Sequence, residues 1–159
     1  MKIRKKIRLK NTLIIGLLCL FNIMPKPSFS QEKELIHEVK QLCLNQTKAF
    51  NDHDVEKFMN SFHEDIEMHI QMTGWLRGKP AVRNRFISVF KGNPEVKMEI
   101  TETNARIISP NTIIVDFKWV VYPNPSEKPY QGTTVGVYVK RDGKWGEVFE
   151  MEEILVYHQ

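Results

Sequence analysis

With 159 residues and a formal charge of +4, the chain is long enough to bury one core and hardly two. The charge suggests a nucleic-acid surface, but seven of the 23 basic residues (Lys2, Arg4, Lys5, Lys6, Arg8, Lys10 and Lys26) precede the first acidic one, Glu32. The 16 that remain face all 19 acidic residues, a balance of −3, which argues against nucleic acid as a partner.

The basic opening leads into an apolar run from Leu13 to Met24, then Pro25, Pro27 and the small-x-small triplet Ser28-Phe29-Ser30. This is the three-part layout of a secretory signal peptide, with cleavage after Ser30. The run is shorter than the ~20 residues a helix needs to cross a bilayer; an uncleaved anchor is the alternative. The expected organisation is a leader over residues 1–30 and one domain over 31–159, periplasmic or secreted, with no membrane contact once the leader is gone. Cys43 is then the only cysteine, which excludes an internal disulfide. At a helical core position it reads as a small hydrophobe.

From Glu32 to Asn51 the apolar residues Leu35, Ile36, Val39, Leu42, Cys43, Ala49 and Phe50 keep the three-four spacing of one helical face. Asp54 is placed to cap a second helix carrying Val55, Phe58, Met59 and Phe62. The period then changes to two: Ile66, Met68, Ile70 and Met72 alternate with Glu67, His69 and Gln71, which predicts a half-buried strand. Gly74 to Gly78 read as a turn. Pro80 opens a third helix through Phe86 and Phe90, stopped by Gly92 and Pro94. Four strands follow, over 96–108, 112–122, 132–141 and 144–157, the last two joined by the hairpin pair Asp142-Gly143. Helices first and antiparallel strands afterwards predict an α+β domain with three N-terminal helices packed on a curved, mainly antiparallel sheet.

Four segments carry a resemblance: Ala49-Phe50-Asn51-Asp52-His53-Asp54, Phe62-His63-Glu64-Asp65, Arg77-Gly78-Lys79-Pro80-Ala81-Val82 and Asp142-Gly143-Lys144-Trp145. In this order and spacing the chain resembles the nuclear transport factor 2-like superfamily, and within it the SnoaL-like branch. The resemblance implies a cone-shaped fold with a pocket between helices and sheet, shared by isomerases, dehydratases, cyclases and binding or dimerising modules. Ketosteroid isomerase-like members carry a catalytic carboxylate and a tyrosine where this chain has Ile70 and Gln46, neither of which can do that chemistry. Many relatives carry histidines in the last strand, where this chain has Phe149 and Met151. The resemblance also implies a homodimer, through the outward face of the sheet that holds Asp116, Lys118 and Tyr122, with Tyr138 expected to face the same way.

The more apolar phase of each strand is expected to line the pocket. It selects Met68 and Ile70 on the first strand, Phe117 and Trp119 on the 112–122 strand, and Trp145, Phe149 and Met151 on the last, with Trp75 and Arg77 at the rim. Glu147 is the one charged residue in that phase. Desolvation there would raise its pKa and make it a proton acceptor, unless a bulge turns it outward. His69, on the polar phase, is a helper for developing negative charge or simply a surface histidine. His63 and His69 have no third ligand at a familiar spacing, and no phosphate loop, paired-cysteine site or nucleophile elbow is present, so neither metal nor cofactor is expected. The leading expectation is an exported domain that binds a small apolar molecule. A lyase or isomerase with Glu147 as general base, and a non-catalytic dimerisation module, are the alternatives.

Overall fold

The computed structural model describes residues 28–156; most of the expected leader, and Tyr157 at the end of the last strand, lie outside the described residues. Helix α1 (Phe29–Asn51) opens on a capping box. Ser28 Oγ accepts from the Gln31 N–H at 3.4 Å and Gln31 Oε1 accepts from the Ser28 N–H at 2.8 Å, satisfying two groups that have no partner inside the helix. Its buried face is Val39, Cys43, Gln46, Ala49 and Phe50, so one polar residue, Gln46, is carried inward with the apolar ones. His53, in the left-handed region at φ 55°, reverses the chain into α2 (Val55–Met59), which Asp54 caps by accepting from the Lys57 N–H at 3.0 Å.

Phe62, expected on the second helix, instead begins strand β1 (Phe62–Ile70). The expected turn after it holds a short edge strand, β2 (Gly74–Arg77), paired antiparallel to β1 with Trp75 opposite His69 and Arg77 opposite Glu67. Met72 lies in the connection between them and is 71% exposed, because β1 ends at Ile70. Helix α3 (Lys79–Gly92) follows with Pro80 in its first turn. The remaining chain forms β3 (Lys97–Ser109), β4 (Thr112–Tyr122), β5 (Tyr130–Arg141) and β6 (Lys144–Val156).

The sheet has the order β2-β1-β6-β5-β4-β3. All neighbours are antiparallel except β1 and β6. The helices cover one face. On β1 the inward residues Ile66, Met68 and Ile70 are buried, and on β4 so are Val115, Phe117, Trp119 and Val121, following the alternation of a strand with one face on a core. Tyr138 departs from the expected outward position: it is wholly buried. The inward phase of β5 leading to Tyr138 is Gly132, Thr134 and Gly136, small where Val135, Val137 and Val139 on the other phase are apolar, so counting hydrophobic residues picks the wrong side. Space explains the choice. A Cβ on Gly132 would collide with the Trp119 ring and with the Glu153 carbonyl, and one on Gly136 would collide with the Glu147 carboxyl. The two glycines leave room for larger groups arriving from β4 and β6.

Candidate functional site

Between the helices and the sheet is a cavity of about 350 Å³, within the usual span for small-molecule sites, about 300 to 1,000 Å³. Phe50, Phe58 and Phe86 wall it from the helices and Phe117, Trp119 and Tyr130 from the sheet. Phe50, Phe58 and Phe86 hold one another, edge-on or tilted, with centroids 4.4 to 6.2 Å apart. The Trp119 indole donates to Thr134 Oγ1 at 2.9 Å, which fixes the ring against the wall and leaves its apolar face to the cavity.

The polar end comes from β6. Val137 pairs with Phe149 but Tyr138 pairs with Glu147, so Val148 is one residue more than β5 can match. This bulge turns the phase of the strand over. Trp145 and Glu147 point inward before it; Glu150, Glu152 and Ile154 do so after it and line the cavity. Glu147 is 0% exposed. Its Oε2 accepts from Gln46 Nε2 at 3.2 Å, the carboxyl reaches that of Glu150, and Oε1 receives no hydrogen bond from the protein. Tyr138 stands beside them, its hydroxyl donating to Gln46 Oε1 at 3.5 Å and accepting from the Cys43 thiol at 3.4 Å.

Burial dominates the ionisation of this group. It lifts Glu147 well above the ordinary carboxylate range, and the charge of Glu150 lifts it further. Burial and then the charge of Glu152 push Glu150 up to about 7. Burial also raises Glu152, opposed by Arg85 across the cavity from α3, and sends Tyr138 up, with the charge of Glu147 adding to it. The arrangement is therefore a pair of neighbouring carboxyls, Glu147 enclosed and favoured in its neutral form by burial, and Glu150 opening onto the cavity with its pKa raised to about 7.

The sequence-selected residues divide into three groups. Ile70, Phe117 and Trp119 line the cavity. Met68 and Trp145 are buried on the same face of the sheet but away from the cavity lining; the Trp145 indole donates to Glu38 of α1 at 2.7 Å. Trp75, Arg77, His69, Phe149 and Met151 are on the opposite face. There Trp75 packs against His69 at 5.0 Å and Phe149 at 5.9 Å, Arg77 pairs with Glu67, and Met151 is 44% exposed. Phe149 and Met151 are there because the bulge at Val148 reversed their phase. Trp75 and Arg77 are there because β2 continues the sheet edge rather than folding over the pocket mouth; His69 is there by the alternation of β1, on the polar phase where the sequence put it. Glu147 does face inward, but behind Glu150 rather than at the cavity surface. Glu150, Glu152 and Arg85 were not selected. The run Glu147-x-x-Glu150-x-Glu152 was the only signal for the two carboxylates, and strict alternation sends both to solvent.

Several solved structures share this architecture. A candidate scytalone dehydratase from Novosphingobium aromaticivorans superposes with a TM-score of 0.74 at 13% identity, over 83% of this chain and 93% of that one. LinA matches with a TM-score of 0.72 at 13% identity, over 79% and 89%. A protein with a cystatin-like fold from Caulobacter vibrioides matches with 0.70 at 19% identity, over 77% and 91%. At such identities the likeness shows the fold alone. No curated protein matches the chain. The SnoaL-like domain family matches residues 45–148, from the inward-facing stretch of α1 to the bulge in β6, and the chain belongs to that family.

Proposed function

We propose that the domain binds a small, predominantly apolar molecule in the cavity between helices and sheet. The observation that supports this is an open space of about 350 Å³ with an aromatic wall and the carboxyls of Glu150 and Glu152 among its polar lining, the pattern of a site that buries a ligand's body and orients it by a few polar groups. Trp119 reports on it. Titrating the protein with hydrophobic alcohols should change the Trp119 fluorescence saturably, and Thr47→Phe, which fills the space from α1, should abolish the response. A response that survives the filled cavity sinks this reading.

One observation favours a second reading, proton transfer of the lyase or isomerase kind. Glu150, rather than Glu147, is the carboxyl that meets the cavity, and its pKa of about 7 suits a general base near neutral pH. With a substrate in hand, Glu150→Gln should remove turnover and retain binding. Unchanged turnover would rule this reading out.

We also propose that the domain is exported and works as a homodimer. Val135 and Met151, cross-strand neighbours on the outer face, are 41% and 44% exposed, apolar area suited to a second copy. Sedimentation should give a dimer that Val135→Glu converts to a monomer. The intact mass of the exported protein should correspond to cleavage after Ser30, inside the first turn of α1.

A further inference from the structure

The charges around the cavity are unbalanced. Its enclosed lining carries two carboxyl groups, Glu150 and Glu152, against one cation, Arg85, while Glu127 is exposed at the rim and bonded by Asn124. Arg85 acts on Glu152. Glu150 has no cationic partner among the groups around it: Glu147 and Glu152 on its own strand, Cys43 and Gln46 on α1, and Tyr138 on β5. Behind it, Glu147 is entirely buried, with Oε1 facing Gly136 and reached by no protein donor. Enclosed carboxyls without counter-charge cost stability and persist where something else supplies the charge.

On the reading that the cavity is a ligand site, we propose that its ligand is an organic cation, a primary or secondary amine on an aromatic or branched apolar body, with the ammonium group against Glu150. The wall suits such a molecule twice over. Phe50, Phe86, Phe117 and Trp119 take the apolar body, and aromatic faces also attract a cation. A carboxylate ligand would bring a third negative group to a site with one guanidinium. A neutral alcohol would leave Glu150 without a counter-ion. Binding of the ammonium ion draws Glu150 into its ionised form, so a proton leaves the protein as the amine enters.

The test compares three probes of one shape on the full-length chain, 4-phenylbutylamine, 4-phenylbutan-1-ol and 4-phenylbutanoate, by Trp119 fluorescence and by calorimetry in buffers of different ionisation enthalpy. The amine should bind about tenfold or more tighter than the alcohol, with the carboxylate weakest. Its affinity should rise between about pH 6 and 8 with release of a proton, and Glu150→Gln should remove the amine's advantage over the alcohol. If the alcohol or the carboxylate binds as tightly as the amine, the cation is refuted and the pocket stands. If none of the three binds, the pocket reading and the cation fail together.

Discussion

Glu147 and Glu150 share one face of β6 although they are three residues apart, because Val148 has no counterpart on β5. Both carboxyls are raised by burial, Glu147 well above the ordinary range and Glu150 to about 7, so between the unfolded value near 4.5 and 7 the folded chain holds a proton at Glu150 that the unfolded chain has lost. Stability therefore falls as pH rises through that window, by about 3 kcal/mol for Glu150, and Glu147, raised in the same direction, adds to the fall. Urea midpoints from acid to neutral pH should decline accordingly. Glu150→Gln should flatten the profile and raise stability most on the alkaline side. A native profile that rises between pH 5 and 7 would contradict a neutral pair.

Gly136 is the floor beneath Glu147. A methyl group there would collide with Glu147 Oε1 and stand 3.0 Å from Tyr138 Cε2. Neither neighbour can swing into solvent, since both are fully buried. Gly136→Ala should therefore cost about 1 to 3 kcal/mol, as overpacking does. Combined with Glu147→Ala the two effects should be less than additive, because the second change removes the atom the first one strikes. Additive losses would place the cost in the β5 backbone instead.

The Cys43 thiol is 3% exposed and burial pushes its pKa up to about 12. It also donates to the Tyr138 hydroxyl. Cys43 lines the cavity, so a small reagent can approach it, but with almost no thiolate at neutral pH native protein should be alkylated by iodoacetamide far more slowly than protein in guanidinium, as read by mass on the peptide that contains it. Rapid labelling of native protein would show α1 opening away from β5.

The elements were legible in the sequence because each has a strong period: the three-four face through Val39, Cys43 and Phe50, and the alternation through Ile66 to Ile70 and through Val115 to Val121. The site was legible only where that alternation is unbroken, at Ile70, Phe117 and Trp119. Where one extra residue, Val148, enters β6, the side chains from Phe149 to Ile154 change face, and pattern alone assigns the oily Phe149 and Met151 to the pocket and the acidic Glu150 and Glu152 to water. On β5 the inward phase is built from Gly132, Thr134 and Gly136, whose task is to leave space. Apolarity is a poor guide to a surface designed around its neighbours' volume.

Glu38 provides a titration of opposite sign at the other end of α1. Its Oε2 accepts from Lys140 Nζ at 2.8 Å and from Trp145 Nε1 at 2.7 Å, joining the helix to the β5-β6 hairpin. Lys140, and then the Trp145 indole, lower its pKa below the usual value of 4.5. A depressed carboxyl stabilises above its unfolded pKa and loses that contribution as pH falls through the folded one, so Glu38 supports the fold at neutral pH and fails it in acid. Glu38→Ala strands the buried Trp145 N–H and should cost about 1 to 3 kcal/mol at neutral pH. Glu38→Gln keeps an acceptor for the indole and loses only the half-exposed ion pair, so it should cost less than about 1 kcal/mol. Denaturation of both variants at neutral pH separates the two contacts: equal losses would mean that the Lys140 pair, and not the Trp145 hydrogen bond, holds this corner together.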